Sequence, residues 1–163
     1  MNKLKPISKQ GIPRALQKVE RYRLLNNPIE AESICRDILE LEPDNQEAIK
    51  MLVLTLTDQF GHGVSSNSPN ELLPRIKDEF SRIYLKGIIL ERQAKTSLYR
   101  GLPNSQHDAY EWLNEAMEAF QKADELSEDD DDDAILRWNA CLRTIEKYHL
   151  TARPLQGREL PLE

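Results

Sequence analysis

Along most of the chain apolar residues recur three and four positions apart, which is the period of a helix face and not of a strand. Gly is scarce and β-branched residues are few, so the pattern predicts an all-α fold. The helix boundaries are well punctuated. Asn27-Pro28-Ile29-Glu30 offers an N-cap, a Pro at the first helical position and an acid at the third, and the run that follows ends at Pro43. Asp44 is then expected to cap the next helix, with Glu47 completing a capping box. Its buried stripe would be Ala48, Ile49, Leu52, Val53 and Leu56, stopped by Gly61-His62-Gly63. Ser68-Pro69-Asn70-Glu71 repeats the start signal, but Pro74 falls inside the run and predicts a shortened or kinked helix.

Ile83, Gly87, Leu90, Ala94 and Leu98 then mark a long helix reaching about Arg100, followed by a turn at Gly101-Leu102-Pro103-Asn104. Ser105 with Asp108 is expected to cap the next helix. Its core face would carry Trp112, Leu113, Ala116, Phe120, Ala123 and Leu126. An acidic run ending at Asp133 leads into a last helix with Ile135, Trp138, Leu142 and Ile145 facing inward. The pattern predicts one helical domain over residues 12–150. Residues 1–11 read as a flexible N-terminal tail, and residues 151–163, which hold Pro154, Gly157 and Pro161, as an extended or disordered C-terminal tail.

An internal period is superimposed on these helices. Ala15, Ile49 and Ile83 are spaced by 34 residues, and so are Tyr22, Leu56 and Leu90. The segment from Leu25 to Ala31, followed by Leu39, Leu41, Pro43 and Asn45, resembles the second helix and closing turn of a tetratricopeptide repeat. Ala116, Phe120, Ala123 and Leu126 are similar to that family's small–aromatic–small–Leu spacing, and Gly87 fits the small residue of a first helix. The resemblance covers roughly Ile12 to Tyr148. It departs from the family where Ala15, Ile49 and Ile83 replace the large aromatic of each first helix, and where the closing Pro is absent after Leu126. It implies about three degenerate repeats and a capping helix, about seven helices in all, stacked as antiparallel hairpins into a short right-handed solenoid.

The resemblance also implies a function, that of an adaptor or scaffold holding a peptide or protein segment in the concave groove lined by first helices. The family's groove positions fall here on Leu16, Glu20 and Arg23, on Lys50, Leu54, Thr57 and Asp58, on Tyr84, Ile88 and Glu91, and on Leu136, Ala140 and Arg143 of the last helix. The positions of the family's clamp for C-terminal carboxylates read Leu16, Glu20, Met51, Ser81 and Leu85, which is not its Lys, Asn and Arg set, so that ligand is not expected. A peptide with apolar anchors and flanking charges fits the mixed lining. Self-assembly into a weak homo-oligomer, with Leu155, Leu160 and Leu162 docking into a neighbour, is the alternative reading, and a small enzyme with a cryptic site is a third.

Charge narrows the partners. A net charge of −6 disfavours nucleic acid, whose phosphates need a surplus of Lys and Arg on one face. No run is long and apolar enough for a membrane span, and Met1 to Pro13 has no apolar signal core, so a cytoplasmic protein without membrane insertion is expected. The two cysteines, Cys35 and Cys141, sit among periodic helical residues and read as buried reduced thiols. No nucleotide loop, nucleophile elbow, zinc helix or paired-cysteine motif occurs, so neither catalysis, cofactor nor metal is expected. His62, His107 and His149 read as ordinary surface histidines. The run from Ser127 to Asp133 lacks the alternating ligands and central Gly of a calcium loop and reads as a solvated turn.

Overall fold

A computed structural model describes residues 1–155. Within them the chain forms seven α-helices: α1 (Ile12–Leu24), α2 (Pro28–Leu41), α3 (Gln46–Thr57), α4 (Asn67–Leu72), α5 (Glu79–Arg100), α6 (Ser105–Glu125) and α7 (Asp133–Lys147). The described residues contain no strand; the one extended feature is an isolated bridge between Phe60 and Val64.

The first turn between helices is built on Asn26 rather than Gly. Asn26 takes a left-handed backbone (φ 58°), its N–H donates to the Arg23 carbonyl, and the Asn27 N–H donates to that of Tyr22. This pair of bonds satisfies the last carbonyls of α1. Pro28 then opens α2 as expected, although the Asn27 side chain makes no capping bond. The cap of α3 lies one residue later than the sequence suggests. Asn45, not Asp44, accepts from the Ala48 N–H at 3.0 Å, which leaves Glu47 out of register for a capping box. Asn45 is held there because its own amide donates to Glu42.

The expected stripe of α3 is buried throughout, at Ala48, Ile49, Leu52, Val53 and Leu56. Pro74 does shorten the following element. α4 has six residues and gives way to a 3₁₀ turn at Leu73–Arg75. α5, by contrast, runs for 22 residues, capped by Asp78 on the Ser81 N–H and ended by Gly101 at φ 60°. Ser105 is not the cap of α6. Asn104 holds that position with a left-handed backbone and no side-chain bond, and Ser105 is the first helical residue.

Packing follows chain order. α1 lies against α2, α2 against α3, α3 against α4 and α5, α5 against α6, and α6 against α7, while α1 and α3 also touch directly. Four apolar clusters record this series. Ile12, Ile38 and Ala48 form one at the start, and Val19, Ala31, Cys35, Leu52 and Leu56 form the next. Ile49, Val53, Leu73, Ile76, Leu85 and Ile89 form a third, and the last is built around Leu113, Phe120, Ala134 and Cys141. Leu39 and Leu54 each pack against more than one of them, so the core is continuous.

Two features of the last cluster shift the expected faces. Leu126 and Ile135 are exposed, because they flank the acidic turn, and the inner face of α7 is set by Ala134 and Cys141 with Trp138 and Ile145 partly buried. α7 ends on His149 (φ 50°), whose N–H donates to the Glu146 carbonyl while that of Leu150 donates to Ile145. The same closure as at Asn26 thus folds Leu150 back into the core.

The termini are tied to this frame. Ser8 caps a 3₁₀ turn at Lys9–Gly11, and Ile7 packs against the first cluster. Residues 151–155 carry no regular structure, yet the Thr151 carbonyl meets His107 Nδ1 at 3.0 Å and Arg153 pairs with Asp108 at 2.5 Å. The remaining C-terminal positions, Gly157, Leu160, Pro161 and Leu162 among them, lie outside the described residues.

Candidate functional site

The sequence-predicted groove residues divide sharply by environment. The structure draws several of them into contacts that join α1, α3, α5 and α7. Asp58 follows the last turn of α3, where a carboxylate opposes the negative end of the helix dipole. Two arginines offset this. Arg23 of α1 donates from Nε at 2.6 Å and from Nη2 at 3.2 Å in a two-pronged grip, and Arg92 of α5 approaches from the other side at 3.4 Å. Asp58 therefore links the end of α3 to both α1 and α5. All three side chains keep some solvent contact, so the stabilisation is about 1 kcal/mol or less per pair, and the geometric effect on helix register matters more.

The second bridge is buried. Glu91, one residue before Arg92 on α5, has no exposed side-chain surface. It accepts from Lys95 Nζ at 2.6 Å and from Nε of Arg137 on α7 at 3.0 Å, and a second guanidinium nitrogen of Arg137 completes a two-pronged contact. Burial alone would push the Glu91 carboxyl upward, but the hydrogen bonds and charges of Arg137 and Lys95 outweigh it and hold the group below the usual glutamate range. Arg137 responds in kind. Burial works against its charge, and the bond to Glu91 more than restores it.

Tyr84 lies beside this pair. Its ring stacks on Phe80 (centroids 5.6 Å apart, planes 13° apart) and tilts against Phe120 of α6 at the same separation. Burial raises its hydroxyl pKa, and the carboxylate of Asp133 adds to the effect. Phe120 reaches this position because Gly87 leaves room for it. A Cβ on Gly87 would fall 2.6 Å from the Phe120 ring.

The other positions fall into two groups. Thr57, Ile88 and Glu91 are buried and offer no surface to a ligand, because the Thr57 hydroxyl is turned back to the Leu54 carbonyl at 2.7 Å and α7 is packed near Ile88 and Glu91. Leu16, Lys50, Leu54, Tyr84 and Ala140 are half-buried, while Glu20, Leu136 and Arg143 are exposed. Lys50 is held by Glu47 at 2.6 Å along its own helix. The sequence-predicted positions thus include both surface side chains and side chains engaged in packing.

Arg92, Lys95 and Arg137 escaped sequence reasoning, although they supply the counter-charges. For Arg92 a signal existed. It lies 34 residues after Asp58, so the repeat period places the two at matching positions of neighbouring helices. Arg137 carried no comparable mark. Both cysteines are free and buried, and burial pushes their thiols up to about 12. Among the described residues no cluster of His, Cys, Asp and Glu could hold a metal, and no helix is long and apolar enough to cross a membrane.

No family model, curated protein or solved structure matches this chain.

Proposed function

We propose that the protein is a tetratricopeptide-like adaptor that holds a peptide or protein segment along the face shared by α1, α3, α5 and α7. The observation that carries this reading is the paired bridging of Arg23–Asp58–Arg92 and Glu91–Arg137, which fixes those helices in series. Such a frame is what a stacked-repeat groove requires, since each hairpin buries its apolar face only against neighbours. The 34-residue spacing of Ala15, Ile49 and Ile83 supports the same architecture. The role is binding rather than catalytic, because the charged groups of the face are engaged with one another instead of converging on one reacting point.

The partly open residues define what the face would recognise. Leu54 and Leu136 supply apolar contact, Lys50 and Arg143 positive charge and Glu20 negative charge, which suits a peptide with spaced apolar anchors and acidic flanks. Lys50→Glu and Leu136→Asp are the informative variants, because Tyr84 and Ile88 contribute to the core and their truncation would confound folding with binding. Partners captured by the wild-type chain should be lost from both variants and retained by Glu118→Lys, an exposed change on α6. Retention by all three, with circular dichroism unchanged, overturns the reading.

Self-association is favoured by a different observation. Leu24, Leu25 and Ile29 form an exposed apolar group around the α1–α2 turn. A light-scattering mass above that of the monomer, reduced by Leu25→Asp, would support this second reading.

A further inference from the structure

Basic residues are segregated along this chain. Residues 1–24 carry seven basic side chains and one acid, Glu20, although the net charge of the whole is −6. The structure sorts these cations by role. Arg23 is committed to Asp58, and Lys5 lines a small cleft with Asp37 and Glu40 of α2. Arg14, Lys18 and Arg21 are left on the solvent side of α1, because the helix turns Ile12 and Val19 inward. Their spacing of four and three residues puts them in one row, and none of them meets a carboxylate at ion-pair distance among the described residues. Like charges at this spacing repel along a helix, so the row destabilises α1 until an anion from outside meets it.

An apolar group continues the same row. Leu25 follows Arg21 by four residues and its N–H still donates to the Arg21 carbonyl at 3.0 Å, so its side chain extends the line of the three cations. Leu24, 88% exposed, stands beside Leu25, 61% exposed, and Ile29 is exposed just beyond the turn. From Arg14 to Leu25 the row runs about 16 Å along the outside of a helix, which makes it a ridge and not a groove. It is distinct from the row of Leu16, Glu20 and Arg23, whose spacing of four and three places them on another side of α1.

Cations and leucines together select the class of partner. A nucleic-acid backbone would meet the cations and leave the leucines in water. A second copy approaching by this face would set two basic rows against each other. The surface of an anionic bilayer takes both, since its headgroups meet the cations while the leucine side chains enter the boundary between headgroups and acyl chains. We propose that the outer face of α1, through Arg14, Lys18 and Arg21 with Leu24 and Leu25 at its end, docks on the surface of a bilayer containing anionic lipid, with no segment crossing it. The docking does not depend on the groove reading.

Sedimentation of the full chain with vesicles tests it, using phosphatidylcholine alone and phosphatidylcholine with about 30% phosphatidylserine. Each cation near such a surface strengthens binding about fivefold, so half-saturation is expected at about 1 mM lipid or below on the anionic vesicles, with little binding to the neutral ones. Lys18→Glu combined with Arg21→Glu should weaken binding about tenfold or more, as should Leu24→Ser combined with Leu25→Ser, and Lys122→Glu on α6 should leave it unchanged. All five positions are exposed, so these variants remain folded. A polarity-sensitive dye attached through Leu25→Cys should shift to shorter wavelength on the anionic vesicles. Cys35 and Cys141 do not compete for it, being buried with thiols pushed up to about 12. Equal binding to neutral vesicles, full affinity in either double variant, an unshifted dye on the bound chain, or tighter binding to a single-stranded oligonucleotide than to the vesicles overturns the proposal. So does a mass above the monomer's that Leu25→Asp lowers while vesicle binding stays unchanged, because the leucines then belong to a contact between copies.

Discussion

Gly87 and Glu91 lie four residues apart on α5, and each makes a contact with a later helix, Gly87 with Phe120 of α6 and Glu91 with Arg137 of α7. Gly87 admits the Phe120 ring to the helix backbone. Gly87→Ala gains helix propensity but drives a methyl group into that ring, and overpacking of this kind costs about 1–3 kcal/mol. Thermal or denaturant unfolding should show that loss, and Phe120→Leu in the same chain should recover part of it, a coupling that a double-mutant cycle measures. Glu91 behaves differently because its partners are charged. Glu91→Ala removes the buried partner of Arg137 and Lys95, which are each about one third exposed, and should cost about 1–3 kcal/mol, while Glu91→Leu combined with Arg137→Met should cost less. The carboxyl is held below its ordinary value near 4.5, so its contribution is fully present above that value and is lost as pH falls through the depressed one. Stability of the wild type measured through the acid range should therefore fall more steeply than that of Glu91→Gln.

Helices were legible where local chemistry and packing agree. The α3 stripe, the Pro28 start, the break at Pro74 and the turn at Gly101 all follow from residues within one turn of the feature they predict. The misplaced caps share a cause. Asp44, Asn45, Asn104 and Ser105 can all accept from a helix N-terminus, and the choice among neighbours is made by second partners such as Glu42, which composition does not reveal. The same limit applies to α7, where the pattern points Ile135 to the core but the structure buries Ala134 and Cys141. α7 nonetheless holds the chain's end together. It covers Leu113 and Phe120, brings Arg137 to Glu91 and returns Leu150 to the core. A chain ending before Asp133 should lose cooperative unfolding and bind hydrophobic dyes; a truncated chain that unfolds in one sharp transition would contradict this role.

At the scale of the whole molecule, the 34-residue spacing was visible before any coordinates, but the charged bridging between helices was not. The sequence offers Arg23 and Asp58 as candidate groove positions, yet their pairing depends on a contact across 35 residues, and that of Arg137 with Glu91 on one across 46. Such contacts are set by how hairpins stack, and stacking is what a local pattern leaves open. The central claim is that the face joining α1, α3, α5 and α7 is the surface that meets a partner. Lysine-acylation footprinting on the complex formed with a captured partner tests it directly, since Lys50 lies on that face and Lys122 on the exposed side of α6. The account predicts that the partner slows acylation of Lys50 about fivefold or more, as expected for a contact that excludes water, and leaves Lys122 unchanged. Protection of Lys122 with Lys50 reacting at its free rate would contradict it.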